Sequence, residues 1–148
     1  MRQIKFRAWD KENNRFFYSD DGRGYRFCID PYGSHYVEKV GGTQHGKILL
    51  RDGAPWQQYT GLKDKNGKEI YEGDIVKHDG RICKVAWYTL GLRFTLLTTE
   101  ETVEANYVAS SGVPIRNPFP LWNKKGQDEH TEVIGNIHQN PQLLKGGV

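Results

Sequence analysis

The residues of this chain that could do chemistry are its histidines, its carboxylates and a set of aromatic side chains with a basic neighbour. His35 and His45, with Asp30 and Asp52 nearby in sequence, could converge on a divalent cation and activate water for nucleic-acid hydrolysis. The five histidines (His35, His45, His78, His130 and His138) show no HxH, HxxxH or HExxH spacing, so only the fold could assemble such a site. His78 and His138 read as surface or strand-edge residues. Asp64, Glu69, Glu72 and Asp74 sit where turns explain them, and Glu100, Glu101 and Glu104 read as a solvated face. GGTQHGK, residues 41–47, lacks the GxxxxGK[ST] spacing and the strand-to-helix context of a phosphate loop. No GxSxG elbow occurs. No residue is therefore assigned as catalytic or metal-ligating, and no cofactor is expected.

The aromatic side chains are the better lead. Trp9, Trp56, Tyr59 and Tyr71 adjoin polar turns, and Lys63 is near them in sequence. Rings beside a cation can stack on single-stranded bases, at about 1–3 kcal/mol per base. The plainer reading, which weighs more, is that these large side chains close the open ends of a small β core.

The elements that must position these residues are strands. Ile4, Phe6 and Ala8 alternate with Gln3, Lys5 and Arg7, and Arg15 to Tyr18 returns after a polar turn, so residues 3–18 predict a hairpin. Arg2, Lys5 and Arg7 would form a basic strip on its alternate positions. Residues 19–55 are broken by Gly22, Pro31, Gly33, Gly41, Gly42 and Gly53, and predict short strands and loops in an excursion. From Gln57 the pattern sharpens. Asn66-Gly67 predicts a type I′ hairpin turn, Tyr71-Glu72-Gly73-Asp74 a type II turn, and Asp79-Gly80 a second type I′ turn. A meander follows, with Cys83, Val85 and Trp87 on one face of its second strand and Phe94 and Leu96 inward on its third. Residues 100–112 could hold a helical turn or a short strand, and 113–130, with three prolines, read as a loop. Thr131 to His138 predicts a last strand. Asn140-Pro141 predicts a capped helical turn through Leu144.

Composition agrees. A chain of 148 residues suits one domain, residues 1–148, and can bury roughly 70% of its unfolded surface without a metal or disulfide staple. Seventeen glycines and 12% aromatic residues argue for a turn-rich, ordered β protein. The net charge of +3 is modest for a nucleic-acid binder. The two cysteines, Cys28 and Cys83, lack a CxxC partner, which excludes a zinc ribbon. No stretch is apolar enough to span a membrane and the N-terminus lacks a signal-peptide core, which together favour the cytoplasm.

Three blocks carry a resemblance: KFRAWDKENN at the start, QYTGLKDKNGKEIYEGDIVK in the middle and EVIGNIHQNPQLL near the end. In this order they resemble the YopX family, small proteins encoded by bacteriophages and prophages. The resemblance covers the two ends and the middle and leaves out residues 19–55 and 100–130. It implies a mainly β fold, an SH3-like, partly open small barrel built from 56–99 and 131–144, with an N-terminal hairpin, irregular insertions and little helix. It also implies a phage or prophage origin and the cytoplasm of a bacterial host. It assigns no activity, and Gly73 and Asp74, which match the family's EGD element, read as turn chemistry.

Three functions remain. The first is a non-enzymatic binding module in phage–host biology, with Trp9, Trp56, Tyr59, Lys63 and Tyr71 as its contact residues. The modest charge favours a host or phage protein as partner over single-stranded nucleic acid. The second is a self-associating structural phage protein, a homo-oligomer built on exposed strand edges. The third, with least support, is a metal-dependent nucleic-acid hydrolase that requires His35 and His45 to meet.

Overall fold

Residues 3–51, 56–88, 93–98, 119–120 and 129–145 are described by the structure, a computed structural model. The chain is mainly β, as expected: the described residues form twelve strands in three sheets, with short 3-10 turns at Gly42–Gln44 and Pro141–Leu144. It divides into two compact units, Met1–Tyr59 and Thr60–Val148.

In the first unit, alternation produces the expected hairpin. β1 (Phe6–Asp10) pairs antiparallel with β2 (Arg15–Tyr18), and Trp9 lies opposite Phe16. The segment expected to be an excursion folds into a sheet of its own: β3 (Tyr25–Ile29), β4 (His35–Lys39) and β5 (Ile48–Arg51), in that order. β6 (Trp56–Lys63) begins in this unit and runs antiparallel to β1, with Ala8 opposite Trp56. The core contains buried Ala8, Phe17 and Val37, with Tyr25, Phe27, Leu49, Leu50 and Trp56 packed against them. Val37 and four of those five partners come from 19–55, so this segment builds the core rather than decorating it.

The basic strip expected along residues 2–7 does not form as a solvated face. Arg7 is buried, its Nε donating to Gln57 Oε1 at 2.8 Å and its guanidinium lying 4.3 Å from the Phe16 ring centre. Lys5 pairs with Asp20 at 2.8 Å. Arg2 lies outside the described residues.

Asp10 ties the β1–β2 turn. Its carboxylate accepts from the Asn13 N–H at 3.2 Å, from Asn13 Nδ2 at 2.9 Å and from Arg15 Nε at 3.2 Å. Burial pushes this carboxyl up, but the hydrogen bonds from Asn13 and Arg15, with the Arg15 charge, outweigh burial and hold it below the ordinary aspartate value. A carboxylate whose pKa is lowered by folding stabilises above its unfolded value, near 3.9, and loses that contribution as pH falls through the lower folded one. Asp10→Asn is therefore expected to cost about 1 kcal/mol near neutral pH. The gap to wild type should close below about pH 4, as read from urea melts across pH; a gap that is the same at pH 3 and pH 7 would contradict the assignment.

In the second unit, β7 (Glu69–Tyr71) and β8 (Asp74–His78) follow β6, and the expected meander continues through β9 (Arg81–Tyr88) and β10 (Arg93–Thr98). β11 (Phe119–Pro120) and β12 (Thr131–Asn136) complete a five-stranded sheet in the order β11-β10-β9-β8-β12. β11 falls where the prolines predicted loop; it pairs with β10 at the end of the ladder, where a proline removes no central bond. The core joins Ile70, Val76, Cys83, Val85, Phe94 and Leu96 with Leu62 and Val133. Trp87, expected on one face with Cys83 and Val85, lies at the end of β9 with its ring edge-on to Phe94 at 5.0 Å and is partly exposed. Residues 100–112 lie outside the described residues.

The turns follow their chemistry with one correction. Asp79 and Gly80 both take positive φ, 46° and 83°, as a type I′ turn needs. At Asn66-Gly67 only Gly67 does, with φ 81°. The Asp64 carbonyl accepts the Gly67 N–H at 2.9 Å, and the Asp64 N–H donates to the Lys68 carbonyl at 2.8 Å. This is the longer hairpin loop, a type I turn completed by a glycine in the left-handed region. Asp64 is why it wins: its carboxylate Oδ1 accepts the N–H groups of Asn66 and Lys68 at 2.8 and 2.9 Å, which holds the loop open. Asn140 precedes Pro141 as expected, but its side chain makes no capping hydrogen bond.

Candidate functional site

Among the described residues, the first unit leaves four large apolar side chains exposed, Ile4, Ile29, Tyr32 and Ile48, and the β3–β4 hairpin carries two of them, Ile29 and Tyr32, close together. Its turn, Asp30-Pro31-Tyr32-Gly33-Ser34, is closed by backbone bonds from Asp30 N–H to Ser34 at 3.0 Å and from Gly33 N–H to Asp30 at 2.9 Å. Asp30 Oδ1 also accepts the N–H groups of Tyr32 and Ser34, each at 2.9 Å. An aspartate that satisfies its own turn in this way, followed by a proline, leaves the loop little freedom. Tyr32 is thus held on a tied turn with its side chain outward and is 94% exposed, while Ile29 at the end of β3 is 59% exposed.

Beneath the tip lies a stack. His35, opposite Ile29 on β4, lies face-on to Trp56, ring centres 4.7 Å apart and planes at 23°. Trp56 rests in turn on Phe27 at 5.2 Å and on Phe6 at 5.6 Å. Core residues therefore fix the tryptophan, and the exposed imidazole covers it. The chemistry offered is contact chemistry: an apolar and aromatic surface with a phenol and an imidazole as polar handles, mounted on a rigid base.

Of the five residues expected to contact a partner, three are buried. Trp9 is 8% exposed and its ring packs on Phe16 at 4.8 Å. Tyr59 is 6% exposed, with Lys5 Nζ 5.4 Å from its ring centre. Tyr71 is 2% exposed and its hydroxyl donates to Glu69 Oε2 at 2.8 Å. These three cannot stack on a ligand, because their faces are already taken by protein. Lys63 is exposed and belongs to the second unit, whereas Trp56 belongs to the first and is half-buried. Of the five, only Trp56 contributes to the tip.

His35 and His45 do not meet. His35 starts β4, whereas His45 lies beyond its other end, where its Nδ1 accepts the Gly41 N–H at 2.9 Å. The five residues of β4 span about 13 Å from first to last Cα at ~3.3 Å per step. Asp30 is engaged in its turn, and Asp52 lies outside the described residues. Among the described residues no group of three histidines, cysteines or carboxylates is placed to hold a metal ion.

Sequence reasoning missed Ile29 and Tyr32 because alternation in 19–55 is short and interrupted. The signal was Asp30-Pro31 followed by Tyr32-Gly33: aspartate, proline and glycine at turn positions, with a tyrosine carried at the apex.

Comparison with known proteins places this geometry in context. The family model described as YopX protein matches residues 5–145. No curated protein matches the sequence. Among solved structures, the chain is similar to protein yopX from Bacillus subtilis, with a TM-score of 0.63, 19% identity and full coverage of both chains, 100% each. It is also similar to protein EF1440 from Enterococcus faecalis, with a TM-score of 0.61 and 24% identity over 97% of this chain and 99% of that one. At these identities the likeness is one of fold.

Proposed function

The chain belongs to the YopX family, and from that premise we propose that it is a non-enzymatic binding module that engages a protein through the β3–β4 tip. In this reading it is encoded by a phage or prophage, works in the cytoplasm of the bacterial host, and takes a host or phage protein as partner. The observation that carries the reading is Tyr32, 94% exposed on a turn fastened by the Asp30 carboxylate. A tied turn leaves little backbone freedom to lose on binding, and a tyrosine has only two side-chain torsions to immobilise for a large contact area.

Charge selects the partner class. Residues 29–35, IDPYGSH, include an aspartate and no lysine or arginine. Affinity for nucleic acid comes mainly from cations set against phosphates, and this tip supplies none of its own. Among the described residues no helix is long and apolar enough to cross a membrane.

Tyr32→Ala tests the reading, since removing so exposed a side chain should move the melting temperature by no more than about 2 °C. The wild-type chain, immobilised and exposed to nuclease-treated host lysate, is expected to retain a protein, and the variant to bind that protein at least tenfold more weakly, as for a hot-spot residue. Retention that depends on intact nucleic acid, or equal binding by the variant, would overturn it.

A further inference from the structure

We propose that β3 is a pairing edge at which two copies of this chain join antiparallel about a twofold axis, giving one continuous sheet across the dimer. β3 is terminal in its sheet, and among the described residues no strand lies beyond it. Its register with β4 shows which backbone groups face outward. Asp30 donates to Ser34 and Val40 donates to Gly24, so the hydrogen-bonded pairs are the even-numbered ones, Arg26 with Glu38 and Cys28 with Tyr36. The N–H and C=O groups of Tyr25, Phe27 and Ile29 therefore point away from β4. The strand, YRFCI, contains no proline and no lysine, residues that commonly protect edges from pairing.

The occupant follows from charge and register. Only odd-numbered residues can form hydrogen-bonded pairs with a new neighbour. Centring the pairing on Phe27 sets Tyr25 against Ile29 of the second copy and Phe27 against its own equivalent, and it uses all five residues of the strand. Ring and branched side chains then meet on one face, a favourable cross-strand combination, and the exposed Ile29 is covered. On the other face, Arg26 meets Cys28 of the second copy. Slipping toward the N-terminus would instead set Arg26, which pairs with Glu38 at 3.2 Å, against its own equivalent, and slipping toward the C-terminus would set Tyr25 against Pro31, which has no N–H to give, so the centred register is favoured. The strand is thus complementary to itself, as a twofold interface requires.

Arg26→Cys places its thiol opposite Cys28 of the second copy, in a non-hydrogen-bonded pair whose Cα atoms lie about 4.5 Å apart, within disulfide range. Mild oxidation of this variant is expected to give a covalent dimer on a non-reducing gel. Wild type and the double variant Arg26→Cys/Cys28→Ser should give none, and Cys83 is buried and does not compete. Independently, the wild-type chain should sediment as a concentration-dependent dimer. Ile29→Pro, which removes one outward N–H at the end of the edge, should sediment as a folded monomer by circular dichroism. A wild type that stays monomeric at sub-millimolar concentration overturns the proposal. So does an Ile29→Pro variant that associates like wild type, or cross-linking of Arg26→Cys that is absent or survives Cys28→Ser.

Discussion

Replacing Asp64 with alanine is expected to lower the melting temperature by roughly 10 °C, corresponding to a loss of about 3–5 kcal/mol. Asp64 is only 1% exposed. Its carboxylate takes the N–H groups of Asn66 and Lys68 on Oδ1, and Oδ2 accepts the Val133 N–H at 3.0 Å. One side chain thus closes the β6–β7 turn and holds β12, 69 residues away in sequence, against it. Alanine would take the acceptor from three part-buried backbone hydrogen bonds at once. Hydrogen bonds to a charged acceptor contribute about 1.5–3 kcal/mol each and add incompletely when they share it. Asp64→Asn should recover only part of the loss, because its amide nitrogen presents a donor where an acceptor is needed. Thermal melts of both variants check this, and a shift of less than about 3 °C for alanine would contradict the account.

Gly73→Val is expected to cost about 2–3 kcal/mol. Gly73 has φ 77°, a region that a β-branched side chain enters only with strain. The backbone cannot relax cheaply, because the Gly73 N–H donates to the Val85 carbonyl at 2.8 Å and its carbonyl accepts the Ile137 N–H at 3.0 Å. Asp74 completes the lock, its Oδ2 accepting the Tyr71 N–H at 2.8 Å and its Oδ1 accepting from Asn136 Nδ2 at 3.3 Å. Gly73→Asn should be milder than valine, since asparagine tolerates positive φ. Equal melting temperatures for wild type and Gly73→Val would contradict the turn assignment.

Both residues were legible as turn chemistry before the fold was known, but their reach was not. Asp64 and Asp74 read as residues that serve their own turns. The structure adds Val133 and Asn136, partners supplied by a strand at the far end of the chain. The meander from β8 to β10 was legible because apolar residues alternate along β9 and its first turn carries Asp79-Gly80. Residues 19–55 were legible only as short strands, since each run is too brief to show which face it buries until β1 and β2 are set against it.

The candidate site divides in the same way. Tyr59 and Tyr71 lie beside polar turns, and proximity to a turn suggested exposure, yet each strand carries its ring to the buried side. Only packing decides between those faces, because which face of a strand meets the core depends on the strands and sheets set against it. Tyr32 is the converse: an unremarked residue in a glycine-rich stretch that the Asp30 turn leaves in solvent.

By itself the sequence determined the β class, the family blocks, the positive φ at Gly67, Gly73 and Gly80, and the absence of a metal-ligand spacing among the histidines. These are local properties, set by the period of apolar residues and by what each backbone position tolerates. Tertiary structure alone decided that His35 covers Trp56 instead of meeting His45, that three of the suspected contact aromatics are core, and that β3 stands at the end of its sheet. Those outcomes depend on which strands neighbour one another, and contacts between residues far apart in the chain, not local pattern, set that choice.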